Sequence, residues 1–441
     1  MTLLLLIGSV LVLIWCYLSI KPAMRQVGPF LPDSYLFGIG LYTVGAILVF
    51  LTHPGPDSIE IAAISLVAMT SALLGAVLFV FMCGSFYKPV DFHRQFSGTD
   101  SGQIEQFSIK AMLLLSGIVC IAFVYAVFSN SIIGALLSIA SLAGDSTLLD
   151  ARKAITAGSA GYLAPGYVKQ FRDIIIPIAI MATMVITPGF RRSPVVWFGF
   201  GTAIIAMLVS GQRLVFVIFF VALLLASYYT SQFAGRRRRV DAGRRRVPWL
   251  AIVLLLVAYG LLTVLLGRVN PDLSPFGLIA EISVNLFDRI LLAAPQENLL
   301  TFEVWQNIGP TYGESWLADL GGILPGVRES LSNILHSATG GSIHGNSPLG
   351  LPADVWLAWG WAGLILIPFL YAFAIGLLDM LLLANRSAIF FAVKIYLFVI
   401  LPICYSPYLF ILYGGAVALI LITFSEILRS KPWWRASAAE V

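Results

Sequence analysis

Long apolar runs separated by polar segments follow one another along the whole of this 441-residue chain. Most runs hold about 20 residues, the length that crosses the hydrocarbon core of a bilayer as a helix. They are rich in Leu, Ile, Val and Phe and lack the strict alternation of apolar and polar positions that is typical of barrel strands. We therefore predict an all-α polytopic integral membrane protein with a single membrane domain over residues 1–441. The predicted transmembrane helices, about 11 in number, lie at about 1–20, 35–52, 60–82, 110–129, 174–190, 194–211, 214–233, 248–267, 355–383, 387–405 and 408–428.

Two polar segments are much longer than the others, and they cover residues 130–173 and 268–352. The first opens with an apolar stretch, Ile132–Ala140, which we expect to lie in the membrane interface or to re-enter the membrane. In the second, apolar residues recur at helical spacing over Ile282–Ile290 and predict an amphipathic helix that lies on the membrane or packs on the bundle. We expect this second segment to fold on one face of the membrane and to carry much of the chemistry.

Composition supports the membrane assignment, because 59% of the residues are hydrophobic and only 11% are charged. A soluble domain carries about 25% charged residues. The four cysteines lie in or at the edges of apolar runs and form no CxxC pair or Cys/His cluster. The sequence therefore supports neither a disulfide framework nor a metal site, and we expect no cofactor. The net charge of +5 does not indicate nucleic-acid binding, because the basic residues follow the membrane topology.

The distribution of basic residues predicts the orientation of the chain in the membrane. Seven arginines between Arg236 and Arg246 lie in one loop, which the positive-inside rule places in the cytoplasm. The C-terminus is then cytoplasmic, and the N-terminus and both long polar segments lie on the far side. Most of the 27 Lys and Arg residues fall on the cytoplasmic side, with Arg386 and Lys394 counted among them. The other cations lie almost entirely in the two long segments or at Arg213, which suggests a polyanionic ligand on the far side.

Several of these far-side cations are candidate ligands for a phosphate group. Arg213 follows Ser210-Gly-Gln between two apolar runs, and an arginine at a membrane boundary is costly unless it reaches the interface or has an anionic partner. It either extends to the interface or holds a phosphate in a bidentate fork. Arg152, Lys153 and Arg172 form either an ordinary solvated loop face or a cationic patch over a lipid pyrophosphate.

A general base is the second kind of candidate. His344 lies in a Gly-rich stretch just before a predicted span. It is either simply solvated or takes the proton of a sugar hydroxyl, which an imidazole can do near neutral pH. His336 is the same residue type with less context. Glu314 and Asp354 are the candidate carboxylates, and Asp354 opens a predicted span, where a negative charge also suits a helix N-terminus. Arg289 either points into a substrate site or lies on another face of the amphipathic helix.

Three short motifs lie in the C-terminal half of the chain: Ser210-Gly-Gln-Arg213 between two spans, Tyr312-Gly-Glu-Ser-Trp316 running on to Ile323-Leu-Pro325, and Ser347-Pro-Leu-Gly-Leu351 followed by Asp354 and Gly360-Trp-Ala-Gly363. With these motifs the chain resembles the Wzy-type polymerases of bacterial surface polysaccharides, also called oligosaccharide repeat unit polymerases. The N-terminal half is similar to that family only in its general pattern of spans and a basic periplasmic loop. Two positions depart from the family's pattern. Arg328 follows Pro325 two residues later than the expected Pro-Arg pair, and Asp354 stands where Glu is expected.

This resemblance implies a membrane-embedded glycosyltransferase of the bacterial inner membrane, with an architecture shared with O-antigen ligases. The expected reaction polymerises the repeat units of an O-antigen, capsule or exopolysaccharide on the periplasmic side. The growing glycan passes from undecaprenyl pyrophosphate to an incoming lipid-linked repeat unit. Arg213, with Arg152 and Arg172, would neutralise the leaving pyrophosphate, and His344 or a carboxylate would take the acceptor proton. The expected substrate-binding residues are Arg152, Lys153, Arg172, Arg289, Glu314 and Asp354.

The resemblance also implies that no metal or nucleotide sugar is needed. The expected partners are undecaprenyl-pyrophosphate-linked oligosaccharides, membrane lipid, and a chain-length regulator and flippase of the same pathway.

Two other functions are open at this point. An O-antigen ligase would use the same kind of donor with a lipid A-core acceptor, and the sequence does not separate it from a polymerase. A polytopic transporter or lipid-glycan flippase is expected to carry ionisable residues in mid-span or paired broken helices. The predicted spans are nearly charge-free and no internal repeat is found, so the sequence favours the enzyme.

Overall fold

The computed structural model describes residues 2–20, 29–84, 102–127, 165–186, 193–210, 213–235, 274–320, 335, 351–384, 387–403, 410–411 and 415–430. Within these ranges the regular structure is entirely helical and contains no strand. This agrees with the helical class that the apolar runs predicted.

The described helices follow the apolar runs of the sequence. The first eight are α1 (Thr2–Ile20), α2 (Leu31–Thr52), α3 (Pro56–Cys83), α4 (Gly102–Val127), α5 (Pro165–Gln170), α6 (Ile176–Ile186), α7 (Pro194–Ser210) and α8 (Arg213–Gly235). The others are α9 (Pro275–Phe287), α10 (Ala293–Leu300), α11 (Phe302–Ile308), α12 (Glu314–Leu320), α13 (Leu351–Ala384), α14 (Ala388–Ile400) and α15 (Gly415–Ser430). A first π-turn (Phe171–Ile175) joins α5 to α6, and a second π-turn (Asp288–Leu292) joins α9 to α10.

Four of the described helices are long and apolar enough to cross a membrane, over Leu31–Thr52, Pro56–Cys83, Gln106–Tyr125 and Pro352–Leu383. Shorter apolar helices accompany them at Leu6–Ser19, Pro194–Met207, Val215–Thr230 and Ala388–Ile400. The prediction of a helical membrane protein is therefore confirmed. The number of spans and the two periplasmic loops stay predictions, and the predicted span at 248–267 lies outside the described residues.

The bundle is built by close helix packing, in which α3 lies along α13 and also contacts α1 and α2. In a second group of helices, α4 packs against α7, and α6 packs against α4, α8 and α14. A Cβ added to Gly75 of α3 would collide with the Phe369 carbonyl of α13, and one added to Gly38 of α2 would collide with Pro402. Small residues at such contacts let membrane helices approach closely enough to gain packing energy.

The helix α13 is broken near its first end, where the sequence predicted one uninterrupted span. Gly360 has φ 65° and ψ −157°, a backbone conformation that costs little only for glycine. The break frees the carbonyls of Leu357 and Ala358 from their helical partners. The backbone N–H groups of Thr311 and Gly313 donate to these two carbonyls instead, each at 2.8 Å, which satisfies polar groups that would be costly to leave unpaired in a membrane.

A buried ion pair joins α13 to α14. The ammonium of Lys394 lies 3.1 Å from Oδ1 of Asp379, and both side chains are excluded from solvent. The backbone N–H of Leu31 also donates to Asp379, at 3.3 Å, and nearby the hydroxyl of Tyr17 donates to Asp33 at 2.8 Å. The sequence had placed Lys394 among the cytoplasmic cations and had treated the spans as nearly charge-free. The cytoplasmic placement of Lys394 stays a prediction. The pair shows that two of the nearly charge-free spans each carry one buried charge, and neither span alone indicates this, because the partner of the lysine lies on a different helix.

The described part of the second long polar segment, residues 274–320, is folded against the bundle. At the second π-turn, the Leu291 carbonyl lies directly against Gly45 of α2, so that any side chain at Gly45 would collide with it. From α10, Asn298 donates a hydrogen bond to the hydroxyl of Tyr42 on α2. These contacts tie the segment to a helix that is long enough to span the membrane.

Candidate functional site

The turn between α11 and α12 lies against the broken start of α13. Three residues of this turn have positive φ: Gly309 (66°), Tyr312 (49°) and Gly313 (89°). Positive φ is rare for a bulky residue such as tyrosine and is found where the surrounding contacts over-determine the backbone. Here those contacts are the bonds to the freed carbonyls of α13, to which the Thr311 hydroxyl adds a further bond, to the Leu357 carbonyl at 3.2 Å.

Asp354 lies in the first turn of α13 and is only 4% exposed. The indole Nε1 of Trp316, on α12, donates a hydrogen bond to Oδ1 of Asp354 at 3.1 Å. A carboxylate near a helix N-terminus is stabilised by the positive end of the helix dipole, and the indole bond orients it further. The substrate-binding role of Asp354 stays a prediction, and its side chain lies against Trp316 of α12 and not in open solvent.

Tryptophan rings of α11 and α12 pack against tryptophan rings at the start of α13. The rings of Trp316 and Trp359 meet edge to face with centroids 6.1 Å apart, and those of Trp305 and Trp356 lie 6.2 Å apart. A Cβ on Gly313 would collide with the ring of Trp359, so the turn can pack here only because this position has no side chain. Trp305 and Trp356 are buried. Trp359 is 39% exposed and Trp316 is half-buried, so this second pair presents a partly exposed aromatic edge that suits amphipathic groups.

Glu314, the second predicted carboxylate, is exposed at the first residue of α12. Its backbone N–H donates to the Thr311 carbonyl at 3.1 Å, which fixes the start of the helix. Because Trp316 is two residues further along the same helix, the structure brings Glu314 into the same local region as Asp354. One carboxylate is open to solvent and the other is enclosed, so the two are not equivalent candidates for a general base.

Arg172 is placed differently from the expectation. The helix α5 begins at Pro165, so Arg172 lies within a continuous helical stretch and not in a solvated loop at the end of segment 130–173. It is 2% exposed, and its guanidinium forks onto both carboxylate oxygens of Asp173, with Nη2 and Oδ2 at 2.8 Å. Its Nη1 donates to the Ala206 carbonyl at 3.4 Å. Its charge is thus balanced by a neighbour, which is not the exposed cationic patch that the sequence suggested.

Arg213 is the first residue of α8, and Arg289 lies within the second π-turn; for both, the structure describes the backbone and not the side chain. The helix α8 packs against α6, which directly follows the first π-turn. Arg213 therefore belongs to the same group of helices as Arg172. The helix α14 contacts both this group and the helices α2 and α13 of the carboxylate region.

The other predicted site residues, His344, His336, Arg152 and Lys153, lie outside the described residues. Sequence reasoning missed the bond from Trp316 to Asp354, although both residues stand in the motifs that carry the family resemblance. It also missed the buried pair on α13 and α14, for which no local sequence signal exists.

Metal-ligating side chains do not gather in the described part of the chain, where no three His, Cys, Asp or Glu residues come close enough to hold an ion. The described cysteines, Cys16, Cys83 and Cys120, are free thiols. Comparisons of the chain with protein-family models, with curated proteins and with solved structures found no match.

Proposed function

We propose that this protein is a membrane-embedded glycosyltransferase that polymerises lipid-linked oligosaccharide repeat units of a bacterial surface polysaccharide. One observation carries the proposal: the turn at Thr311–Trp316 bonds directly to the start of α13 around Asp354–Gly360. These two stretches contain two of the three motifs that resemble the Wzy-type polymerases, and they are far apart in the sequence. Their contact supports a common site, because separate motifs of an enzyme need to meet in space to act together.

In the proposed reaction, the acceptor hydroxyl of the incoming repeat unit attacks the anomeric carbon of the growing glycan on the periplasmic side. The new glycosidic bond forms as the bond to the undecaprenyl pyrophosphate oxygen breaks, and a general base takes the hydroxyl proton. His344 is the proposed base, with Asp354 and Glu314 as the carboxylate candidates. The partly exposed pair of Trp316 and Trp359, of which Trp316 bonds to Asp354, supports a substrate-binding role for this region.

The leaving pyrophosphate carries the developing negative charge, which an arginine can stabilise. We assign this role to Arg213, because its helix begins at a polar turn between two apolar runs, with Arg152 and Lys153 as further ligands. Arg172 is proposed to act indirectly. By donating to the Ala206 carbonyl it supports the end of α7, close in sequence to the turn that precedes Arg213. We propose Arg289, which lies in the second π-turn, as a further substrate contact.

The test is extension of a purified lipid-linked repeat unit by the purified protein, scored by the length distribution of the products. Arg213→Lys keeps the charge but loses the bidentate fork, so we expect a loss of roughly 30- to 1000-fold in rate at normal protein abundance. His344→Ala should abolish extension, with His336→Ala as its matched control. If Arg213→Lys gave wild-type product ladders, Arg213 would only anchor its helix at the membrane interface and would not bind the pyrophosphate. If His344→Ala gave full-length products, a carboxylate and not His344 would be the general base.

Loss of the gene separates polymerase from ligase. A polymerase mutant leaves single repeat units on the acceptor or carrier lipid, whereas a ligase mutant leaves bare core and long chains still on the carrier. Orientation is tested with single cysteines at Ser274 and Gly243, in a background lacking the native four. Ser274→Cys should react with an impermeant thiol reagent from outside, and Gly243→Cys should not.

A transporter or lipid-glycan flippase is the second candidate, and two observations favour it. Transporters use discontinuous helices and ionisable residues within the membrane, and here α13 is broken at Gly360 and carries the buried pair between Asp379 and Lys394. Proteoliposomes loaded with the lipid-linked repeat unit distinguish the two functions. A flippase would move the unit between leaflets without extending it, and the polymerase would extend it without needing to move it.

A further inference from the structure

The helix α9 (Pro275–Phe287) exposes one apolar face. Phe276 is 87% exposed, Val284 is 58% exposed and Phe287 is 50% exposed. At about 100° per residue these three side chains leave the helix within roughly a quarter of a turn of one another. None of the side chains of α9 that the structure describes is buried. The side chains of Phe276, Val284 and Phe287 are therefore not covered by the described part of the chain.

Water is a poor environment for such a helix. Most of the stability of a helix in a protein comes from packing of its apolar face, and water offers no such packing. A contiguous exposed apolar face normally marks an interaction surface. Some apolar partner must therefore cover the face formed by Phe276, Val284 and Phe287.

The depth of the neighbouring contacts identifies that partner. The second π-turn, which continues α9, lies against Gly45 of α2, and Asn298 of α10 bonds to Tyr42. Tyr42 and Gly45 come well before Thr52, the last residue of α2. At about 1.5 Å per residue they lie roughly 10–15 Å below that end of the helix. Because α2 is long and apolar enough to span a bilayer, the π-turn lies at membrane depth and not above the membrane.

Two further features agree with lipid as the partner. The helix α2 has its own exposed apolar stripe at Phe37, Val44 and Leu51, seven residues apart and therefore on one side of the helix. Val44 is the direct neighbour of Gly45, so this stripe adjoins the contact with the π-turn. On α9 the polar side chains Glu281 and Asn285 lie about a sixth and roughly a quarter of a turn beyond Val284, so both are on one side of the apolar face, as in a helix lying in the membrane interface.

We propose that α9 lies in one leaflet of the bilayer, with Phe276, Val284 and Phe287 against the acyl chains and its polar edge at the headgroups. The described part of the second long polar segment thus enters the lipid through α9, and the second π-turn anchors it to α2.

Spin labels at single cysteines test this placement. Phe276→Cys and Val284→Cys are made in a chain that lacks all four native cysteines. Each variant is spin-labelled and reconstituted in phosphatidylcholine vesicles. Collision of each label with dissolved oxygen, which concentrates in lipid, is compared with collision with a water-soluble nickel chelate. His53→Cys and Asp57→Cys serve as controls, because both residues are exposed and polar and lie at the turn between α2 and α3, beyond the end of α2.

We expect the ratio of oxygen to nickel collisions to be higher at both α9 positions than at the two controls, because the apolar face of an interfacial helix lies in the lipid, where oxygen concentrates and the nickel chelate does not. Nickel accessibility equal to that of the controls would overturn the proposal in favour of water. Spin–spin broadening that disappears on dilution with unlabelled protein would overturn it in favour of a second copy of the chain. Two positions are used so that a folding defect in one variant leaves the other to decide.

Discussion

Breaking the buried ion pair between Asp379 and Lys394 gives the most direct test of how the bundle is assembled. The two charged atoms are 3.1 Å apart, and the side chains of Lys394 and Asp379 are 3% and 0% exposed. We expect Lys394→Met and Asp379→Leu each to lower the free energy of unfolding by about 3–5 kcal/mol. The reason is that either change leaves the other charge buried without its counter-charge.

The double variant should behave quite differently. A buried ion pair replaced by apolar side chains of similar volume is often neutral, and sometimes more stable, because the desolvation cost of both charges disappears. Here the N–H of Leu31 also loses its acceptor, at 3.3 Å from Asp379, which costs about 1 kcal/mol. We therefore expect the free energy of unfolding of the double variant to lie within about 1–2 kcal/mol of the wild-type value. It should be well above that of either single variant.

The measurement is unfolding of the purified protein in mixed micelles by increasing SDS, followed by loss of helical circular dichroism. The wild type, both single variants and the double variant form a double-mutant cycle, which isolates the interaction between the two side chains. Glu303→Gln, an exposed position, is the control and should change stability by less than about 0.5 kcal/mol. A double variant that loses the sum of the two single losses would refute the argument, because the two charges would then be independent.

The remaining predictions concern the break in α13 and its contacts. Gly360→Ala places a side chain at φ 65°, which should cost about 1–2 kcal/mol and lower the melting temperature, whereas Gly201→Ala, whose Cβ meets nothing within 4 Å, should not. Gly45→Leu should displace the second π-turn from α2 and make that turn cleave faster in limited proteolysis, and unchanged cleavage would contradict the contact. Trp316→Phe keeps the ring but removes the indole donor to Asp354, so we expect reduced glycan extension at normal membrane abundance; wild-type extension would show that this bond does not position the carboxylate.

Part of the candidate site could be anticipated from the sequence. The motifs in which they stand indicate Glu314 and Asp354 as candidate carboxylates. The structure joins these two motifs through the hydrogen bond from Trp316 to Asp354. The sequence indicates Arg172 as a phosphate ligand only through its charge, and the structure pairs that charge with Asp173. The difference is physical, because a cation's availability depends on which neutralising group lies beside it. Adjacent side chains on a regular helix do not face each other. Arg172 and Asp173 meet within the first π-turn, which is not regular α-helix.

The sequence by itself determined that this is a helical membrane protein, because long uncharged runs leave lipid as their only compatible solvent, and lipid requires every backbone polar group to be paired within helices. The tertiary structure decided which polar groups meet inside the bundle. The pair of Asp379 with Lys394 and the bond from Trp316 to Asp354 each join different helices, so no periodicity along the chain could show them. The break at Gly360 is likewise a tertiary result, since a glycine tolerates both helical and positive-φ backbone. The carbonyls that it frees are acceptable in a membrane only because the turn at Thr311–Gly313 supplies the missing donors.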